Sequence, residues 1–230
     1  MQTEWISTGD NNRLILYFAG WGTSPELVKN WQIPTGYDLL LCWDYRTFQL
    51  DSAQLNFDFS RYQHYHLVAW SMGVWAAEQC AEYSFLQNVV LETSVAINGT
   101  PLLIDDEQGI PNAIFKGTLD GFNDLTRAKF ERRMCGNRAL LQQYQTFATR
   151  PTAEIQQELA AVNAAVLHSK TSSSRISAIK WQKAIVGTQD LIFPTANQLH
   201  YWQQSSAQIE QIAAPHFLFP LLNGWSELCC

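Results

Sequence analysis

Short blocks of apolar residues alternate along the chain with stretches whose apolar positions recur at helical spacing. The blocks at Arg13–Phe18, Tyr37–Trp43 and His64–Trp70, and at residues 88–93, are too short for buried helices. They show little of the apolar/polar alternation of a strand with one wet face, so they predict strands buried on both faces of a parallel sheet. Between the first two, Ser24-Pro25-Glu26 offers a capping serine and a proline at the first position of a helix. Residues 74–85 carry a second helical pattern. After about Ile104 the strand pattern fades, and residues 125–147 and 152–167 have helical spacing, the latter opened by Pro151-Thr152-Ala153-Glu154. The sheet pattern resumes at residues 179–186 and 207–212, with a helix over 194–202 between them. This order predicts an α/β fold in one domain, residues 1–230: a mostly parallel, doubly wound sheet flanked by helices, with a small helical insertion at about 111–175.

Nearly half of the residues are hydrophobic and nine are tryptophan, which supports a substantial core and argues against disorder. The net charge of −6 excludes nucleic acid as the main partner, because phosphate binding needs clustered cations. No apolar run approaches the length of about 20 residues that spans a membrane. The polar start Met1-Gln2-Thr3-Glu4 lacks an export signal, so a cytoplasmic location without membrane association is expected, with a monomer as the simplest state. The cysteines (Cys42, Cys80, Cys135, Cys229 and Cys230) are odd in number, scattered, and without the C-x-x-C spacing of a metal site. Cys42 and Cys80 are expected in the core, and the Cys229-Cys230 tail has no assigned role. Asp105-Asp106-Glu107 lacks the spacing of a calcium loop and is expected in solvent. Asn98-Gly99-Thr100 matches a glycosylation acceptor only formally. No metal is predicted.

The chemistry begins at Leu67-Val68-Ala69-Trp70-Ser71-Met72-Gly73. An apolar strand, then a serine flanked at two residues' distance by small side chains, then a helix is the pattern of a nucleophile elbow, where strand and helix backbones pass too closely for bulk. Ala69 and Gly73 meet that demand, although glycine is the usual first residue. A nucleophilic serine needs a base in hydrogen-bond reach and an acid to orient it. Asp190 stands just past one late strand and His216 just past the next, so both are expected at the same sheet edge as Ser71. The chain order serine, acid, histidine is that of the α/β-hydrolase layout. Asp44 also ends a strand but precedes the serine, so Asp190 is preferred. His64 and His66 lie within a strand, and His168 and His200 in helical segments. The backbone N–H groups of Met72 and Trp21 are the candidate oxyanion donors, with Gly20-Trp21-Gly22 turning the first loop toward the site. A dinucleotide-binding loop is rejected there, since the third glycine is missing and Pro25 intrudes.

Phe18-Ala19-Gly20-Trp21-Gly22, Ala69-Trp70-Ser71-Met72-Gly73, Gly187-Thr188-Gln189-Asp190-Leu191-Ile192-Phe193-Pro194 and Pro215-His216-Phe217 together resemble the BioG family of pimeloyl-[acyl-carrier protein] methyl ester esterases. The segments from Ile104-Asp105-Asp106 to Gly109-Ile110-Pro111 and Lys129-Phe130-Glu131-Arg132-Arg133-Met134-Cys135 extend the likeness over most of the chain. The resemblance implies hydrolysis, without a cofactor, of the methyl ester that masks the far carboxylate of pimeloyl on its acyl-carrier protein, in biotin synthesis. Trp21 and Trp70 would wall a methylene chain, worth about 0.8 kcal/mol per buried CH₂. Arg127, Lys129, Arg132, Arg133 and Arg138, set against Glu131 alone, form a basic patch suited to an acidic carrier protein. The triad by itself is equally compatible with a carrier-protein thioesterase or a general short-acyl esterase. A hydrolase-fold binding protein without catalysis is the remaining alternative.

Overall fold

The computed structural model describes residues 1–48, 59–81, 86, 89–169 and 177–229. Seven strands form one sheet in the order β1-β3-β2-β4-β5-β6-β7: β1 (Gln2–Ser7), β2 (Arg13–Phe18), β3 (Tyr37–Trp43), β4 (His64–Trp70), β5 (Leu91–Ile97), β6 (Lys183–Gly187) and β7 (Gln208–Ile212). β1 pairs antiparallel with β3; every other pairing is parallel. The central strands explain the apolar blocks. Leu14, Leu16 and Phe18 feed a core on one face, while Ile15, Tyr17, Leu39 and Leu41 feed a second core on the other. Alternation vanishes because both faces are dry.

Helix α1 (Met72–Ala81) follows β4, and four helices lie between β5 and β6: α2 (Asn112–Gly121), α3 (Asp124–Cys135), α4 (Arg138–Tyr144) and α5 (Thr152–Ser169). Helix α6 (Thr195–Trp202) joins β6 to β7, and the short α7 (Trp225–Cys229) closes the described chain. Asn123 starts α3 with a capping box: its side chain accepts from the N–H of Leu125 and Thr126, while Thr126 Oγ1 accepts from the backbone N–H of Asn123. Asp106 Oδ1 accepts the N–H of Asn112 at the start of α2, and Asp105 Oδ1 accepts those of Glu107 and Gln108. The acidic triplet is thus turn and cap chemistry.

Several expectations shift. The single helical region over 125–147 is two helices, broken at Gly136 with φ 71°. A Cβ there would stand 2.8 Å from Pro215 Cβ, so the break lets the end of α3 close against the loop that carries His216. Ser24-Pro25-Glu26 opens only a 3₁₀ turn, Pro25–Leu27. The Ser24 hydroxyl donates to Ala148 O at 2.7 Å instead of capping. The strand expected at 88–93 runs Leu91–Ile97, because the exposed Val90 precedes it while Ser94, Val95, Ala96 and Ile97 are the buried part. β1 and α2 have no counterpart in the apolar pattern: β1 is a half-buried edge strand, and α2 buries only Phe115. Residues 82–85 of the expected second helix, residue 88, residues 170–175 of the insertion and Cys230 lie outside the described residues. The four described cysteines are free and buried.

Candidate active site

Parallel strands bring their C-terminal ends to one edge of the sheet, and the loops leaving β2, β4, β6 and β7 meet there. At the end of β4, Ser71 takes φ 57°, a left-handed conformation that a serine adopts at some cost in strain. Its N–H is tied to Ile97 O at 2.8 Å, fixing the elbow to β5. Gly73 makes the crossing possible, since a Cβ at that position would lie 2.2 Å from Phe18 O.

After β6, Gln189 N–H donates to Ala214 O and Asp190 follows in a tight turn. The two oxygens of Asp190 divide the work. Oδ1 accepts the N–H groups of Ile192 (2.8 Å) and Phe193 (2.9 Å) and so holds its own turn, while Oδ2 faces His216. His216 Nδ1 lies 2.7 Å from Asp190 Oδ2, and its Nε2 lies 2.9 Å from Ser71 Oγ. A carboxylate can only accept, so Nδ1 carries the proton and Nε2 presents a lone pair to the serine hydroxyl. All three residues are buried.

Residues that sequence reasoning missed hold this array. Asn98, fully buried at the end of β5 with φ 46°, donates through Nδ2 to Pro215 O and His216 O at 3.2 and 2.9 Å. Its Oδ1 accepts Gly187 N–H at 2.6 Å. One side chain thus joins the loops bearing Asp190 and His216; a polar residue ending an apolar strand before glycine was the signal. Gln198 on α6 donates to Asp190 Oδ2 at 3.1 Å. The Tyr45 hydroxyl donates to Ala19 O at 2.6 Å, bracing the loop that carries Trp21. Burial pushes that phenol well above its ordinary pKa and keeps it a donor.

Behind Tyr45 is a buried ionic cluster. Glu158 of α5 accepts Tyr45 N–H at 2.9 Å and pairs with Arg150 at 2.6 Å, and Arg150 also lies 2.9 Å from Asp44. Burial holds the Glu158 carboxyl above the ordinary range in spite of Arg150. Asp44, the rival for the triad acid, is committed to Arg150 and Arg46.

The site opens into a cavity bounded by Trp21, Trp70, Leu103, Phe115, Phe130 and Leu159. The Trp21 indole N–H donates to Ile155 O of α5 at 2.9 Å, and its ring packs on Phe122 and Phe130 at 4.8 and 5.1 Å between centroids. Trp70 lies beneath the histidine, its ring 5.4 Å from the imidazole and its N–H directed to His216 O at 3.2 Å. Met72, the first residue of α1, has no preceding helical turn to take its N–H. Of the basic residues, Lys129, Arg132, Arg133 and Arg138 are exposed. Arg127 is turned inward, donating to Glu131 (2.9 Å), Arg150 O (2.8 Å) and Thr152 (3.1 Å), and serves to hold α3 to the start of α5 rather than to face a partner. His64 and His66 approach Glu92, and His200 approaches Glu107 O, all away from Ser71. Among the described residues no three His, Cys, Asp or Glu side chains gather as metal ligands, and no helix is long and apolar enough to cross a membrane.

Comparison with known proteins matches this architecture. A Haemophilus influenzae protein described only as uncharacterized is 47% identical over 215 residues, covering 94% of this chain and 93% of that one. A malonyl-[acyl-carrier protein] O-methyltransferase of Bacteroides fragilis is 42% identical over 204 residues, which are 88% of this chain but 39% of that protein. The crystal structure of BioG from Haemophilus influenzae superposes with a TM-score of 0.89 at 44% identity, covering 100% of both chains. A lipase-esterase related protein of Clostridium acetobutylicum (TM-score 0.60, 12% identity, 95% and 93% covered) shares the α/β-hydrolase fold alone. The pimeloyl-ACP methyl esterase BioG model matches residues 1–228, and the chain belongs to that family of carboxylic ester hydrolases acting in biotin synthesis.

Proposed function

We propose that the chain hydrolyses the methyl ester of pimeloyl-acyl-carrier protein through an acyl-enzyme formed on Ser71. His216 Nε2 takes the hydroxyl proton as Ser71 Oγ attacks the ester carbonyl, and Asp190 holds the ring and stabilises the imidazolium. The N–H groups of Met72 and Trp21 receive the oxyanion of the tetrahedral intermediate. As the intermediate collapses, the C–OCH₃ bond breaks and His216 passes its proton to methoxide, which leaves as methanol. Water, deprotonated by His216, then attacks the acyl-enzyme, releasing the free carboxylate and restoring the serine. The single observation carrying this reading is the unbroken relay from Ser71 Oγ through His216 to Asp190 at the base of an apolar cavity. That cavity suits the uncharged ester and methylene chain, with Trp21 and Trp70 as walls.

Helices α2 to α5 form the cap in this reading. A second groove runs between α2 and α3, bordered by Lys129, Arg132 and Arg133, and shares Ile114, Thr118, Phe130 and Arg133 with the catalytic cavity. The acyl chain reaches Ser71 from that side, and the carrier protein, which is acidic, docks on Lys129, Arg132, Arg133 and Arg138. The protein acts as a monomer in the cytoplasm, where carrier-bound acyl chains are built.

Incubation with methyl pimeloyl carrier protein followed by product mass tests the reaction. Loss of a methyl group supports the esterase, whereas loss of the whole acyl chain means thioester cleavage and overturns it. Docking is tested by reversing charge at Lys129 and Arg132. KM for the carrier-bound ester is expected to rise about tenfold at low salt, with hydrolysis of a small free methyl ester unchanged. An equal KM for both proteins removes the docking surface.

A further inference from the structure

We propose that Gln198 is a positioning residue of the acid–base pair, and that its amide N–H on Asp190 sets the pH at which His216 becomes available as a base. This rests on the reading of Ser71, His216 and Asp190 as a triad.

Gln198 is fully buried on α6. Its Nε2 lies 3.1 Å from Asp190 Oδ2 and 2.8 Å from Phe193 O. Both are acceptors, so the amide orientation is fixed: reversed, Oε1 would face a carboxylate and a carbonyl. Oε1 itself meets no donor among the described residues. A buried acceptor left without a donor destabilises a fold, and a leucine of similar size would have avoided it. What leucine cannot supply is the N–H on Oδ2.

That oxygen also receives His216 Nδ1–H at 2.7 Å, while Oδ1 is occupied by two backbone N–H groups. Two donors on one oxygen compete for its charge. Without Gln198, more of the carboxylate's charge acts on the imidazole, and the imidazolium is favoured. A favoured imidazolium keeps its proton to higher pH, so the base becomes available only at higher pH. The other titratable or charged groups facing the imidazole are Ser71 at the elbow and Arg133, which lines the same cavity from α3. Trp70 from β4 and Asn98 at the end of β5 are uncharged. The Gln198 side chain bonds to none of these, only to Asp190 and Phe193 O.

The test compares pH profiles of kcat/KM for the wild type, Gln198→Leu and Gln198→Met. In the leucine variant the acid limb is expected to move to higher pH by about half a unit or more, with kcat reduced and KM unchanged. The Nδ1 proton resonance of His216 should move downfield. In the Gln198→Met variant, nearly equal in volume but without an amide donor, the limb should shift in the same direction and by a similar amount. That variant also provides the reading if the leucine protein does not fold. A folded variant of either kind with the limb at its wild-type position overturns the proposal, since a merely structural residue would lower the rate without moving it. A fluorophosphonate separates the two failures. Wild-type Ser71 left unlabelled overturns the triad and this proposal with it, while labelled Ser71 with an unmoved limb overturns the role of Gln198 alone.

Discussion

Changing Ser71 to alanine is expected to lower kcat for the methyl ester by about 10⁴-fold or more while leaving the protein folded. The two parts of that expectation have separate causes. In the proposed mechanism Oγ is the atom that bonds to the acyl carbon, and no neighbouring side chain replaces it: His216 Nε2 points at Oγ, and Asp190 is turned to the far side of the ring. The proposed oxyanion donors and the apolar walls remain in the variant and would keep only a residual rate. Structurally, alanine at φ 57° is strained to about the same degree as serine, and the side-chain contact forfeited is the hydroxyl's bond to the histidine. A melting temperature near wild type with turnover lost supports the assignment. Undiminished turnover in the purified variant removes Ser71 from the mechanism.

The second large effect is expected at Arg150, far from the reacting atoms. Its guanidinium lies between Glu158 and Asp44, which are both buried, and stacks on Trp43 at 5.1 Å. Arg150→Met keeps much of the volume and removes the cation, leaving two carboxylates without it. Breaking a buried pair in this way commonly costs about 3–5 kcal/mol. The dependence on pH follows from Glu158. Burial already raises its carboxyl above the ordinary range, and Arg150 opposes that rise. Without Arg150 the folded-state pKa climbs further. A carboxyl with a raised folded pKa is at no disadvantage while it is protonated in both states, and it destabilises the fold as the pH rises through that folded value. The deficit of the methionine variant should therefore grow from pH 5 to pH 8 in denaturant titrations. A deficit that is constant with pH, or larger at pH 5, contradicts the account. Because Glu158 also accepts Tyr45 N–H, and Tyr45 braces Ala19, the same variant is expected to loosen the Trp21 loop.

Much of the site was legible for a definite reason. β2, β3 and β4 are wet on neither face toward their C-terminal ends, so each closes in an apolar run (Leu14–Phe18, Leu39–Trp43, Leu67–Trp70) whose end can be read to the residue. Ser71 is located by such an end together with Gly73, a position where Phe18 O leaves no room for a Cβ. Asp190 and His216 were found the same way, as polar residues just beyond late apolar runs. Weakly buried elements were not legible. β1 pairs only with β3 at the sheet edge, and α2 buries one residue, so neither imposes a period on its sequence. Nor could charge alone sort the basic residues: Arg127 and Lys129 look equivalent in sequence, yet Arg127 is spent on Glu131, Thr152 and the Arg150 carbonyl.

What the chain determines by itself is therefore whatever is carried by local burial and local sterics: the sheet strands, the elbow, the order of serine, acid and base, and the family likeness built on those motifs. Only the tertiary structure decides which buried polar groups meet. Asn98, Gln198, Tyr45 and the Glu158–Arg150 pair are single residues with no spacing rule, each bonded to a partner distant in sequence or on another element. The physical reason is that burial and turn chemistry act between near neighbours and leave a periodic trace. A hydrogen bond between loops becomes possible only after the sheet has brought the ends of its strands to one edge.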